Sequence, residues 1–392
     1  MWAATAGLAV AGGPLAGGAV LEHFWWGSVF LLGVPVALLA TVGILTVVPE
    51  SKDPDPGRLD VPGVLLSIVA LAGLVYGIIR GGSGGGWTSP GVLVPLLGGL
   101  ALLALFVWLQ RRSSHPALDV SLFRNPAFSA AAAALGLNFF ALMGATFYLV
   151  YYLQGVRDYS PLQSGATLIP VAVGMAVMAP RSSRLAERFG ARSVCAGGFL
   201  LIAASFAGIQ LLDGASALWL LLVILTVQGV GMGSVMAPAT ESIMSVVPRE
   251  RAGAGAAVNN SVRQVGGALG VAILGSLLAA AYAARIGDGV DALPAAERAE
   301  ARHSLISTLE AVRRAQDSGD PEVARAAAAL VDPAREAFVG AMHLTAVGTA
   351  AASLVAAAVV TIWMPGRLPG AGVLARRRAM RHRSAQLAPR PH

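Results

Sequence analysis

Glu241 places a titratable group in the least expected setting of this sequence, near the end of the long apolar run 216–244. A carboxylate at membrane depth costs about 3 kcal/mol unless it faces protein or water, and one so placed can take up and release a proton. Pairing with Arg249, Arg251 or Arg263, or reaching out to the membrane surface, would satisfy it equally well. After the charged joint Pro248-Arg249-Glu250-Arg251 come Asn259, Arg263, Gly266 and Gly270. Asn259 and Arg263 share a helical face, and Gly266 and Gly270 form a small-residue pair turned modestly from it. The pattern reads as a helix pressed against a neighbour near one membrane surface, with Arg263 bonding a carbonyl or an acid, or as a simple boundary anchor.

A second charged group, Arg184, Glu187, Arg188 and Arg192, mixes both signs through the joint 181–192, which also carries Gly190. Such a group can latch neighbouring helix ends in one state, or merely orient the chain. Near the start, Gly7, Gly13, Pro14, Gly17 and Gly18 share one apolar run. Gly13 and Gly17 fall on one face, which Gly18 widens, and Pro14 removes a backbone donor and permits a bend. That face suits a hinge-like contact between groups of helices, or ordinary tight packing. In the run 127–153, Phe140, Phe147 and Tyr151 lie near one face, with Asn138 among them. Aromatic side chains there can line an adaptable pocket for apolar molecules or simply touch lipid. A polar Asn138 at that depth needs a partner inside protein.

These residues do not make an enzyme. No nucleophile stands with a base, and His23, His115 and His303 are dispersed in different joints. The single cysteine, Cys195, forms neither an intrachain disulfide nor a metal site. Neither a metal nor an organic cofactor is expected. The net charge of +7 would raise nucleic acid as a partner in a soluble chain. Here the cations sit in joints between apolar runs, so membrane orientation accounts for them and no nucleic-acid partner is expected.

The elements that must carry these residues are membrane-spanning helices. Of 392 residues, 56% are apolar and 12% charged, against about 25% charged in a soluble domain. A spanning helix needs about 20 apolar residues. The windows that qualify are 2–20, 27–48, 61–79, 91–109, 127–153, 162–180, 192–212, 216–244, 262–284 and 340–363. This predicts an all-α polytopic membrane protein with about ten spans. With a cytoplasmic start, 19 of the 28 Lys and Arg residues fall on the cytoplasmic side, and only Arg80 and Arg157 fall in short outer joints. The charge rule then places both termini in the cytoplasm. The remaining seven lie in 285–339, a segment with helical runs that reads as a small external excursion. The tail 366–392 is basic and is expected to be disordered and drawn to anionic lipid.

In this order and spacing the motifs resemble the major facilitator superfamily, and within it the fourteen-helix drug:proton antiporter branch of multidrug efflux permeases. Gly13-Pro14-Leu15-Ala16-Gly17-Gly18, with Gly7 before it, resembles the family's antiporter motif of the fifth helix. Pro180 to Arg192 resembles a degenerate inner-loop gating motif. Tyr152 to Gly165 with Pro170, then Pro248 to Gly253 and Asn259 to Gly270, resemble later loops and helices of the branch. The resemblance implies a helical bundle that is N-terminally incomplete, since residue 1 falls where the fifth helix begins. By that implication four helices and an early coupling acid are absent, through a truncated gene, a late start codon or a split transporter with a separate N-terminal fragment as partner. It divides the chain into 1–48, two helices of the first bundle; 49–126, two linker-type helices; 127–365, the second bundle with its excursion; and the tail. It also implies proton-coupled efflux of amphipathic or cationic drugs in a bacterial plasma membrane, with protons, small amphipathic substrates and lipid as partners. An exporter of an endogenous metabolite or antibiotic, and a non-transporting membrane fragment, are the alternatives.

Overall fold

The computed structural model describes residues 2–47, 60–113, 116, 118–247, 252–293, 295–317 and 320–366. Lys52, Arg58, Arg249, Arg251 and the tail from 367 onward lie outside the described residues. Among the described residues there are fifteen α-helices and no strand. Nine helical stretches there are long and apolar enough to cross a membrane. They fall on the predicted windows from 27–48 onward, and the first window forms α1 (Trp2–His23).

After α1 come the short α2 (Ser28–Leu31) and α3 (Gly33–Val47), which is apolar along its whole length and buries no residue. Then α4 (Val61–Arg80) and α5 (Pro90–Gln110) form a hairpin. Asp60 starts α4 by accepting the Gly63 N–H at 2.9 Å, and it also accepts from Gln110 Nε2 at 2.5 Å, which ties the two ends of the hairpin together. The principal bundle comprises α6 (Pro126–Tyr151), α7 (Pro161–Thr167), α8 (Ile169–Phe189), α9 (Ala191–Gly208), α10 (Leu218–Val246) and α11 (Ala252–Ile286). The excursion supplies α12 (Ala295–Ala301), α13 (Leu305–Gln316) and α14 (Pro321–Ala328), and the final helix α15 (Val331–Trp363) completes the bundle. Local chemistry sets the starts. Asn125 caps α6 by accepting from Ala127 N–H, and Ser160 and Gln163 form a reciprocal capping box on α7.

In lipid the hydrophobic effect does not drive helices together, so close backbone approach must. The helix pairs accordingly cross at glycines. Gly266 lies against the Gly136 carbonyl and Gly270 against the Phe140 carbonyl, which docks α11 on α6. Gly229 lies against the Val171 carbonyl between α10 and α8, and Gly198 and Gly231 meet between α9 and α10.

Two boundaries differ from expectation. The joint 181–192 is not a loop, because α8 runs through Pro180 to Phe189. Arginine and glutamate are good helix formers, so loss of apolarity there does not end the helix. Gly190, at φ +90°, ends it. The last helix begins at Val331 within the expected excursion, with Pro333 in its first turn where the missing N–H has no bond to lose. The excursion is helical, as read. Its buried Leu293, Leu305, Val312 and Leu330 join the core of the main bundle, and Thr308 Oγ1 bonds the Tyr282 hydroxyl of α11 at 2.6 Å.

Candidate functional site

The first helix meets the bundle along a seam of bare backbone. Gly18 of α1 is buried, and a Cβ there would stand 2.5 Å from the Pro161 carbonyl oxygen. Reciprocally, a Cβ on Gly165 of α7 would stand 2.5 Å from the Pro14 carbonyl oxygen. Pro14 and Gly18 are therefore the contact stripe. Gly13 faces open space, and the nearest atom to Gly17 is Val29 Cγ1 at 4.0 Å, so the expected Gly13/Gly17 face is turned away from the seam. Gly7 lies within α1.

A cavity of about 210 Å³ borders this seam, lined by Pro14, Leu142, Thr146, Leu149, Leu168 and the buried Gln228 among others. Asn138 lies one turn along α6 from Leu142 and is fully buried, yet neither its Oδ1 nor its Nδ2 has a hydrogen-bond partner. The Tyr148 hydroxyl and Ser164 Oγ are likewise buried and unpartnered. Each such group costs about 1–3 kcal/mol if nothing compensates it. The four expected cavity residues are not brought together. Phe140 lines a groove between α6 and α11 with Gly136 and Val262. Phe147 and Tyr151, 5.1 Å apart between ring centroids, line a third pocket toward the excursion.

At the arginine-rich end, α8 and α9 meet the end of α15. A Cβ on Gly190 would collide with the Gly366 carbonyl, and Arg192 Nε donates to the Met364 carbonyl at 2.6 Å. Arg184, Glu187 and Arg188 are exposed and form no ion pair with one another among the described residues, and Arg188 rests over the Phe189 ring. Glu241 is exposed at this end, and its Oε1 accepts from Ser183 Oγ at 2.7 Å, which links α10 to α8. Arg263 lies 4.4 Å over the Phe139 ring. Asn259 is buried with its Oδ1 unpartnered.

At the opposite end, a polar knot closes the turn between α9 and α10. Asp213 accepts from the Ser216 hydroxyl at 2.7 Å and from the Ala215 N–H at 2.9 Å, and these bonds hold its carboxyl below the usual carboxylate value. The Tyr152 hydroxyl donates to the Asp213 carbonyl, and Arg157 donates to the Ser216 carbonyl.

A family model described as Major Facilitator Superfamily matches residues 1–271. This chain belongs to the major facilitator superfamily. The multidrug resistance protein Stp of Mycobacterium tuberculosis is 35% identical over 280 residues, which are 71% of this chain and 52% of that protein. The tetracenomycin C resistance and export protein of Streptomyces glaucescens is 34% identical over 294 residues, 74% of this chain and 53% of that protein. The multidrug efflux pump LfrA of Mycolicibacterium smegmatis is 32% identical over 364 residues, 92% of this chain and 70% of that protein. The chain thus spans about half the length of the first two relatives.

Membership of the superfamily makes this a multi-pass membrane protein of a transporter family and not an enzyme. The sequence singled out Pro14, Gly18, Gly266, Gly270 and Gly190 in this superfamily member, but not the helices that they meet. It missed Gly165, Gln228, Ser183 and Met364, which complete those contacts from the partner helix. Gly165 could have been found from its place five residues after Ser160, inside a short capped helix. Met364 contributes only a backbone carbonyl, which no residue type announces.

Proposed function

We propose that this superfamily member exports amphipathic or cationic drugs by alternating access, with protons moving inward as drug moves out. The observation that carries the reading is the Pro14–Gly18 seam against Pro161–Gly165, bordered by a cavity whose wall includes Pro14 itself. Bare-backbone contacts at these two positions can part or slide without side chains interlocking there, and a ligand held beside them feels that motion directly. The unpartnered Asn138 amide, buried one turn from the cavity wall, becomes a hydrogen-bonding group for a substrate only as the helices part. The names of relatives support the class of substrate: multidrug resistance, multidrug efflux and, at 32% identity, methyl viologen resistance in Salmonella typhimurium.

Glu241 is the proton-coupling group in this reading, exposed at the arginine-rich end and bonded to Ser183. Gly190 and Arg192 latch α8–α9 to the end of α15 in the same state. With both termini cytoplasmic in a bacterial plasma membrane, the membrane potential adds about 2.3 kcal/mol per charge per 100 mV to the proton drive. Drug-dependent proton flux in proteoliposomes tests the proposal. A well-folded sample that moves no protons across a broad compound panel would defeat it. The relative named for tetracenomycin C resistance and export favours a second reading, an exporter of an endogenous metabolite or antibiotic. Flux confined to one compound type, with indifference to common cationic drugs, would select that reading.

A further inference from the structure

We propose that the pocket beside the excursion is a second small-molecule site, for a neutral planar aromatic compound with one hydrogen-bonding group. The pocket forms where three units meet, with Ile79 from α4, Phe147 and Tyr151 from α6, Tyr282 from α11 and Leu305 from α13. It encloses about 260 Å³. That is at the small end for ligand pockets, which run roughly 300–1,000 Å³, and sets the occupant at about two rings.

Its polar chemistry is nearly all spent. Ser83 Oγ donates to the Ile79 carbonyl at 2.9 Å, Ser276 Oγ to the Ile78 carbonyl at 3.0 Å, and the Tyr282 hydroxyl bonds Thr308 at 2.6 Å. The Tyr151 hydroxyl and the His303 ring are the polar side-chain groups of the wall left uncommitted among the described residues. No carboxylate is among the lining residues, so no negative charge there pairs with a cation. Aromatic faces with a hydroxyl and an imidazole suit a flat, uncharged ring system bearing one donor or acceptor.

The site is separate from the cavity at the α1 seam. Phe147 turns toward Gly275 of α11, with its Cε1 3.2 Å from where a Cβ would lie, whereas Thr146 and Leu149 line the seam cavity. The inference therefore does not depend on the transport reading, and binding can be measured whether or not the chain moves drug.

Photolabelling of the lipid-reconstituted full chain with 4-hydroxybenzophenone, mapped by peptide mass spectrometry, tests it. Insertion is expected to concentrate on the peptides bearing Phe147, Tyr151 and Leu305, roughly tenfold above the lipid-exposed helix α3, as for one well-made contact. Ala279→Trp, which fills the pocket, is expected to remove that excess. Should that variant fail to fold, Tyr151→Phe combined with His303→Ala decides, and a loss of roughly tenfold is expected because both polar anchors go. Labelling spread evenly over lipid-facing helices, or undiminished in either folded variant, would overturn the assignment.

Discussion

Gly18 and Pro161 meet with no side chain between them, and Pro14 and Gly165 repeat the arrangement one turn away. The seam therefore has no slack. Gly18→Leu is expected to destabilise the protein by about 1–3 kcal/mol through overpacking and, under the proposed mechanism, to abolish drug-dependent proton flux. Gly13→Ala, which points into open space, is expected to be neutral or to stabilise by up to about 1 kcal/mol, because glycine weakens a helix interior. Thermal unfolding in detergent reads both. Equal melting temperatures for the two variants would show that α1 does not dock through this stripe.

Asn138 separates a binding role from a packing role. Replacing an unpartnered buried amide by a similarly sized apolar residue removes a penalty of about 1–3 kcal/mol. Asn138→Leu is accordingly expected to melt at or above the parent temperature while losing drug-dependent proton flux. A variant that transports normally would assign Asn138 to packing alone.

The spans were legible because membrane helices need long apolar windows, and caps such as Asn125 and Ser160 mark where they start. The run 181–189 was not, because an apolar window detects lipid exposure and not helicity, and the charged turns of α8 extend beyond the window. Facing was harder still. Gly13, Pro14, Gly17 and Gly18 are all small enough to make a contact, and only the position of α7 decides that residues 14 and 18 do so. Phe147 and Asn138 share a helix, yet Gly275 claims the Phe147 side while Asn138 turns into the core. The aromatic stripe and the lone amide therefore serve different pockets. Glu241 takes an exposed position on α10, although Ala239, Ser242 and Ile243 around it are buried, because a side chain's facing is set by the neighbouring helix and not by depth along its own.

Arg335 of α15 clamps the turn that follows α6. Its Nη2 reaches both Asp158 carboxylate oxygens, at 2.6 and 2.5 Å, and its Nε donates to the Gly155 carbonyl at 3.1 Å. Asp158 also holds φ at +52°. The carboxylate is well exposed, so the pair contributes only about 0.5–1 kcal/mol. Asp158→Gly is expected to lose the pair and relieve the left-handed backbone, leaving the melting temperature nearly unchanged. Arg335→Ala also strips the Gly155 carbonyl of its donor and is expected to be the more destabilising change. Raising the salt concentration should shrink the effect of the ion pair and leave that of the carbonyl bond.

Asp213 gives a pH dependence of defined sign. Its carboxyl is held below the ordinary value of 3.8 by the Ser216 hydroxyl first and the Ala215 N–H next. A depressed folded-state value means that this contribution is complete above pH 3.8 and is lost as pH falls through the depressed value. Ser216→Ala is expected to lower stability at neutral pH and to converge on the parent in strong acid. Thermal unfolding followed from neutral pH to below pH 3 would reveal it. A constant gap across that range would place the Ser216 contribution in its bond to the Asp213 backbone N–H, which donates to Ser216 Oγ at 2.7 Å.

Glu241 and Ser183 form the most direct side-chain link between α10 and α8 at the arginine-rich end, 2.7 Å apart. If proton uptake by Glu241 is coupled to the cycle, removing its charge should uncouple drug movement from protons, whereas removing only its hydrogen bond should not. Glu241→Gln keeps an acceptor for Ser183 and cannot titrate, so it is expected to abolish drug-dependent proton flux while drug binding persists. Ser183→Ala keeps the carboxylate and is expected to retain flux. Surface hydrogen bonds of this kind contribute about 1 kcal/mol, so neither variant should unfold. The comparison is decisive because both variants alter the same contact and only one alters the charge. Normal proton flux in folded Glu241→Gln would remove Glu241 from the coupling scheme and leave its bond to Ser183 as a fastening between helix ends.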